Sequence, residues 1–138
     1  HRGALAGGAP TIAFVGYGFG CTSPSEHVAL EEAIVAAGGA VASLLAPGRP
    51  DSPASRIERD RLQAEHARAV LLVCSEIGGG ALYTMRFARE LGRARFAVRP
   101  PPEAEREPQW AGNVQCIADG AIPVPFDVGA ALRIISRS

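Results

Sequence analysis

Five short apolar runs recur along the chain, at residues 11–16 (TIAFVG), 40–45 (AVASLL), 69–74 (AVLLVC), 94–98 (ARFAV) and, more weakly, 121–124 (AIPV). They are continuous, not alternating, as expected of strands covered on both faces of a parallel sheet. Between them the period turns helical. Leu30, Ala33, Ile34 and Ala37 share one face, Glu31 and Glu32 lie off it, and Gly38-Gly39 supplies the stop. Just ahead, Ser23-Pro24-Ser25-Glu26 reads as a capping box, with Ser23 at the N-cap, Pro24 at the first helical position and Glu26 at the third. A second helix is predicted over 56–67 and a third over 81–91, closed by Gly92. Residues 99–110 carry Pro100, Pro101, Pro102 and Pro108 among charges and read as an exposed loop. Alternating strand and helix signals predict an α/β layered fold with right-handed crossovers.

At 138 residues the chain is expected to form one domain, large enough to bury a core without disulfides or metal. Hydrophobic residues at 47% and charged residues at 20% exclude a disordered chain, and no apolar run is long enough for a membrane span. Fourteen basic residues balance fourteen acidic ones, so nothing global draws in nucleic acid. Any such binding needs a local patch. All the basic residues are Arg, which excludes Schiff-base lysine chemistry and the P-loop lysine. Cys21, Cys74 and Cys116 are odd in number and not closely paired, fitting neither a disulfide framework nor a zinc site and favouring a reducing cytoplasm. His27 and His66 lack partners at ligand spacing, so no metal is expected. The opening His1-Arg2-Gly3-Ala4-Leu5 has neither an initiator Met nor an apolar targeting segment, and the chain is expected to be a piece of something longer.

In parallel sheets ligands sit beyond the carboxyl ends of the strands, which directs attention to three places. Gly16-Tyr17-Gly18-Phe19-Gly20 follows the first strand, where glycines let backbone N–H groups approach an anion. It is not the dinucleotide fingerprint, because its third glycine comes too early and no acid ends the second strand. Gly78-Gly79-Gly80 precedes the helix holding Thr84 and could cradle a phosphate; a tight turn without ligand is the competing reading of both loops. Arg56, Arg59 and Arg61, with Arg68 nearby, could grip phosphates bidentately, but Glu58, Asp60 and Glu65 are interleaved and could neutralise that face. Ser23, Ser75 and Thr84 have no base partner or nucleophile elbow, which leaves hydrolase chemistry unsupported.

Taken in order, the short motifs resemble those of the DNA-processing protein A (Smf/DprA) family. His1-Arg2-Gly3-Ala4-Leu5 is similar to its "AHRGAL", and Thr11-Ile12-Ala13-Phe14-Val15, Gly18, Pro24, Glu26 and His27 follow its "TIAVLxxGLDxxYPxEH". Arg59-Asp60-Arg61-Leu62 stands in the place of "RNRLIAGLS". Gly80-Ala81-Leu82, Thr84, Arg86-Phe87-Ala88, Glu90-Leu91-Gly92-Arg93 and Phe96-Ala97-Val98 match "SGALxTARFAxELGRxVFAVPG", and Gly112, Asn113 and Asp119-Gly120-Ala121 match "GxNxLIxDGA". The resemblance implies a Rossmann-like three-layer sandwich with a mostly parallel sheet, lacking the N-terminal part of the family domain. It implies a cytoplasmic, non-enzymatic protein without cofactor that binds single-stranded DNA, loads RecA in natural transformation and forms a homodimer. Carried onto this chain, the DNA-binding residues would be Arg59, Arg61, Gly18, Gly79, Gly80, Thr84 and Asn113. Asp60 replaces the family's asparagine and sets a negative charge between the two arginines.

Two other readings remain. One is a nucleotide-binding protein or a phosphoribohydrolase-like enzyme of the same superfamily, although the glutamate needed early in the helix after Gly80 is absent and Glu90 is too far along. The other is a scaffold whose role is self-association, a sheet edge being covered by a second chain.

Overall fold

A computed structural model describes residues 1–137 and divides the chain into two compact units, His1–Leu62 and Gln63–Ser138. The boundary falls within one helix.

In the first unit, α1 (Arg2–Ala6) leads to β1 (Ile12–Val15), which pairs in parallel with β2 (Ala40–Ser43) from Ile12 opposite Ala40 to Val15 opposite Ser43. Between the strands runs α2 (Val28–Ala36), preceded by a 3₁₀ turn at Ser25–His27. Ile34 is buried on the inner face of α2. The helix ends as expected at Gly38, whose positive φ of 78° favours glycine. Gly39 donates to the Ile34 carbonyl at 2.9 Å. The predicted capping box does not form: Pro24 is extended, Ser25 opens the 3₁₀ turn, and neither that turn nor α2 has a side-chain cap.

A capping box does close the start of α3 (Pro53–His66). Ser52 Oγ accepts the Ser55 N–H at 3.0 Å, and Ser55 Oγ accepts the Ser52 N–H at 2.8 Å. Two otherwise orphaned donors are thereby satisfied. The Ser55 hydroxyl also donates to the Gly16 carbonyl at 2.7 Å, which ties this helix start to the loop after β1.

The second unit is a three-stranded parallel sheet in the order β3 (Ala69–Leu72), β4 (Ala94–Val98), β5 (Ile122–Val124). The helices α4 (Ala81–Glu90) and α5 (Ala111–Ala118) connect the strands, and α6 (Val128–Ile135) follows β5. Along β4 the side chains alternate between two cores. Phe96 and Val98 join Val124, Ala104, Trp110 and Ala131, while Ala97 joins Leu72, Met85, Cys116 and Ala121. That double coverage is why β4 is apolar from Phe96 to Val98. Pro123 is tolerated because β5 pairs only with β4 and lies at the sheet edge.

Residues 99–110 depart from the exposed loop expected of them. Two 3₁₀ turns, Pro102–Ala104 and Pro108–Trp110, bury Ala104 and Trp110, and Trp110 meets Phe126 edge to face at 5.7 Å between centroids. All strand pairs described are parallel and helices alternate with strands, a Rossmann-like α/β fold.

Candidate nucleic-acid interface

In the first unit, the loop after β1 is stitched down by its own backbone. Gly18 donates to the Arg49 carbonyl at 2.7 Å and passes so close to Ala46 that any side chain would overlap the Ala46 carbonyl. Its glycine serves close packing, and its N–H is spent inside the protein, unlike the anion donor expected from the sequence. Ser43 Oγ donates to the Tyr17 carbonyl at 2.7 Å. The buried Tyr17 hydroxyl donates to one oxygen of Glu31, and Thr22 donates to the other at 3.2 Å. Burial, reinforced by Glu31, pushes the Tyr17 phenol up to about 12.

The arginines of α3 have carboxylate neighbours. Arg56 Nε donates to Asp51 at 2.6 Å. Arg59 Nε lies 2.8 Å from an Asp60 carboxylate oxygen. Asp60 is only 7% exposed, and burial raises its carboxyl above the ordinary range against the pull of the Arg59 guanidinium. Arg59 is thus held by its neighbour, whereas Arg61 lies on the exposed face. The interleaved acids do partly neutralise this cluster.

In the second unit, the chain leaves β3 through Ser75-Glu76-Ile77-Gly78-Gly79-Gly80 and enters α4, whose N-terminus has no side-chain cap. Gly78 has φ +81°, and a side chain at Gly79 would run into Ser75 Oγ. The turn is braced from behind by α5. Asn113, fully buried, accepts the Ser75 N–H at 2.9 Å through Oδ1 and donates through Nδ2 to the carbonyls of Val73 at 3.0 Å and Val98 at 2.9 Å. Gly112 N–H donates to the Ser75 carbonyl at 2.9 Å.

Two of the residues expected from the sequence lie on the inner side of their helices. Asn113 is sealed from solvent with its amide bonded to backbone, which positions the turn. Thr84 is likewise buried on the inner side of α4. Gly79 lines a groove of about 230 Å³ with Gly78, Leu82, Tyr83 and Arg86. Over the Tyr83 ring sits the Arg86 guanidinium, 5.1 Å from its centroid. Arg86 was not among the binding residues expected from the sequence, although its place one turn beyond Tyr83 on a helix was a usable signal. Among the described residues, no group of three or more His, Cys, Asp or Glu could hold a metal, and no helix is long and apolar enough to cross a membrane.

The comparisons with known proteins agree with these features. The profile of the DNA recombination-mediator protein A family matches residues 1–131. Protein Smf of Escherichia coli K12 is 32% identical over 127 residues, covering 90% of this chain and 32% of its own length. DprA of Mycobacterium tuberculosis H37Rv, named for DNA processing, is 36% identical over 101 residues, covering 73% of this chain and 26% of its own. The X-ray structure of DNA processing protein A from Streptococcus pneumoniae superposes with a TM-score of 0.83 at 26% identity, covering 99% of this chain and 45% of that one. The chain therefore spans about a third or less of the length of these curated relatives. With a family profile matched across nearly its whole length and a Rossmann-like fold shared with a solved relative, the chain belongs to the DNA recombination-mediator protein A family.

Proposed function

We propose that this chain binds single-stranded DNA as part of a recombination mediator that hands the strand to RecA in the cytoplasm. The observation that carries this reading is the family match over residues 1–131. The geometry adds a turn with glycine backbone at an uncapped helix start and an aromatic ring beside it, the ingredients of backbone contact and base stacking. In the second unit, Gly79 and Gly80 meet phosphate through their backbone, with Thr84 and Asn113 behind them. In the first unit, Arg59 and Arg61 are the phosphate contacts, Arg59 by exchanging Asp60 for the strand, and Gly18 holds its loop in shape.

The reading includes a homodimer. On the second unit Leu71, Val73, Phe126, Val128 and Leu132 line an apolar groove of about 240 Å³ beside α6, with Phe126 66% and Val128 78% exposed. A contiguous apolar patch of this kind marks an association surface, and a second copy is the occupant proposed.

Fluorescence anisotropy with labelled oligo-dT tests the binding. Affinity at low salt that falls steeply as salt rises is expected. Absence of binding at low salt overturns the reading. Sedimentation of the chain and of Val128→Asp tests the second copy: a dimer that the variant dissociates is expected, and a wild-type monomer refutes it.

A further inference from the structure

From the second unit we propose that the groove between α4 and α5 is a phosphate-binding track carrying the sugar-phosphate backbone of single-stranded DNA toward the Gly78-Gly79-Gly80 turn; this rests on the single-strand reading above.

The groove has a volume of about 280 Å³ and is lined by Arg86, Arg89, Arg95, Gln115 and Asp119 over Cys116. Arg86 and Arg89 are three residues apart on α4 and so share a face, while Gln115 lies on α5 and Asp119 is the residue that caps its C-terminus. Arg95, at the start of β4, is held by a 2.9 Å bond from Nη2 to the Asp119 carbonyl, which fixes its fork and leaves other N–H groups to donate. Three guanidinium groups thus face one carboxylate in a chain whose formal net charge is zero. Outside the lining, Glu90 pairs with Arg86. Its 3.7 Å contact to Arg86 joins two side chains that are each more than half exposed, a pairing that a phosphate can displace at little cost.

The second part of the argument is continuity. Leu82 and Arg86 line both this groove and the one beside Gly78, Gly79 and Tyr83. A ligand following the arginines therefore arrives at Tyr83, whose ring can stack an unpaired base while Arg86 contributes from its face. Cations on two elements followed by a ring suit a strand of several nucleotides. An isolated phosphate could use only one part of the array, and a duplex offers no unstacked base.

The test is anisotropy of labelled oligo-dT with the full chain, its Arg86→Gln/Arg89→Gln variant and its Arg59→Ala/Arg61→Ala variant, each confirmed folded by circular dichroism. Arg95 is left in place because it also holds Asp119. Loss of two single-strand phosphate contacts flattens the slope of log affinity against log salt by about 1.4, at about 0.7 per contact, and weakens binding at low salt on the order of tenfold. A wild-type slope in the Arg86/Arg89 variant, with a flattened slope in the Arg59/Arg61 variant, overturns the track and leaves the single-strand reading standing. No wild-type binding at about 50 mM salt overturns both. Competition by a duplex of equal length as strong as by the single strand, or by pyrophosphate at matched phosphate concentration, also overturns the track, assigning the groove to duplex backbone or to small phosphates.

Discussion

Asn113 Oδ1 accepts the Ser75 N–H at 2.9 Å, joining groups 38 residues apart in sequence. Because the same amide donates to the Val73 and Val98 carbonyls, one side chain fixes the carboxyl ends of two adjacent strands and the turn that follows. Asn113→Ala leaves a buried donor, a buried acceptor and a part-buried acceptor short of a partner, each of the buried groups worth about 1–3 kcal/mol. A loss of about 2–4 kcal/mol is expected, water reoccupying part of the space. Urea denaturation measures it. Asn113→Asp is expected to be worse, since it loses both donors and buries a carboxylate. A midpoint for Asn113→Ala within error of wild type would mean that the turn holds itself.

Asp60 yields a prediction whose sign depends on pH. A carboxyl raised by burial keeps its proton better in the folded chain than in the unfolded one, so it favours folding at low pH and loses that contribution as pH rises through the folded value. Asp60→Asn has no such group. The stability of wild type relative to Asp60→Asn should therefore decline as pH rises above about 4, the ordinary carboxylate value, measured by denaturant midpoints. The substitution also releases Arg59 from its 2.8 Å partner. Oligo-dT binding should tighten, with the salt slope steeper by about 0.7 for one added phosphate contact. An unchanged slope would show that Arg59 does not reach the strand.

Much of the fold could be read from periodicity, because strands buried on both faces and glycine-stopped helices leave strong local signals. The failures share one cause. Ser23 to Glu26 and Ser52 to Ser55 are both capping sequences, and only the second is made, where the Ser55 hydroxyl has the Gly16 carbonyl 39 residues away to bond. Local spacing carries no record of that partner. Asn113 and Thr84 look like ligand-facing groups by residue type, but polarity does not tell which side of a helix is covered. The arginines of α3 were better marked, since their interleaved acids could be seen in sequence and Asp60 is indeed bound to Arg59. The α4–α5 groove was hidden because Arg95 reaches it from a strand and Gln115 from another helix.

Trp110 tests the covered segment that proline content made look exposed. Its indole is buried with Phe96, Val98 and Val124 and meets the Phe126 ring edge to face at 5.7 Å. Trp110→Ala should cost about 3–5 kcal/mol, and Trp110→Phe considerably less. The chain contains one tryptophan, so its own fluorescence reports the environment without labelling. A blue-shifted native emission that moves red on unfolding is expected. Emission already at the solvent-exposed position in native buffer would contradict the packing.

The alkaline limb of the stability curve isolates Tyr17. With no lysine in the chain and only two tyrosines, few groups titrate near pH 10 and above. A phenol raised to about 12 in the folded state holds its proton where the unfolded chain, with its phenol near 10, has lost it. The contribution is complete below about pH 10 and is lost as pH rises toward 12. In a Tyr83→Phe background, phenolate absorbance then reports Tyr17 alone, and a midpoint well above 10 is expected until unfolding intervenes. Tyr17→Phe removes the hydroxyl that donates to Glu31 and should cost about 2 kcal/mol at neutral pH, as for hydrogen bonds to charged groups. It should also flatten the decline between pH 10 and 12. If Tyr17→Phe matches wild type at both neutral and alkaline pH, the Tyr17–Glu31 bond does not hold the loop after β1.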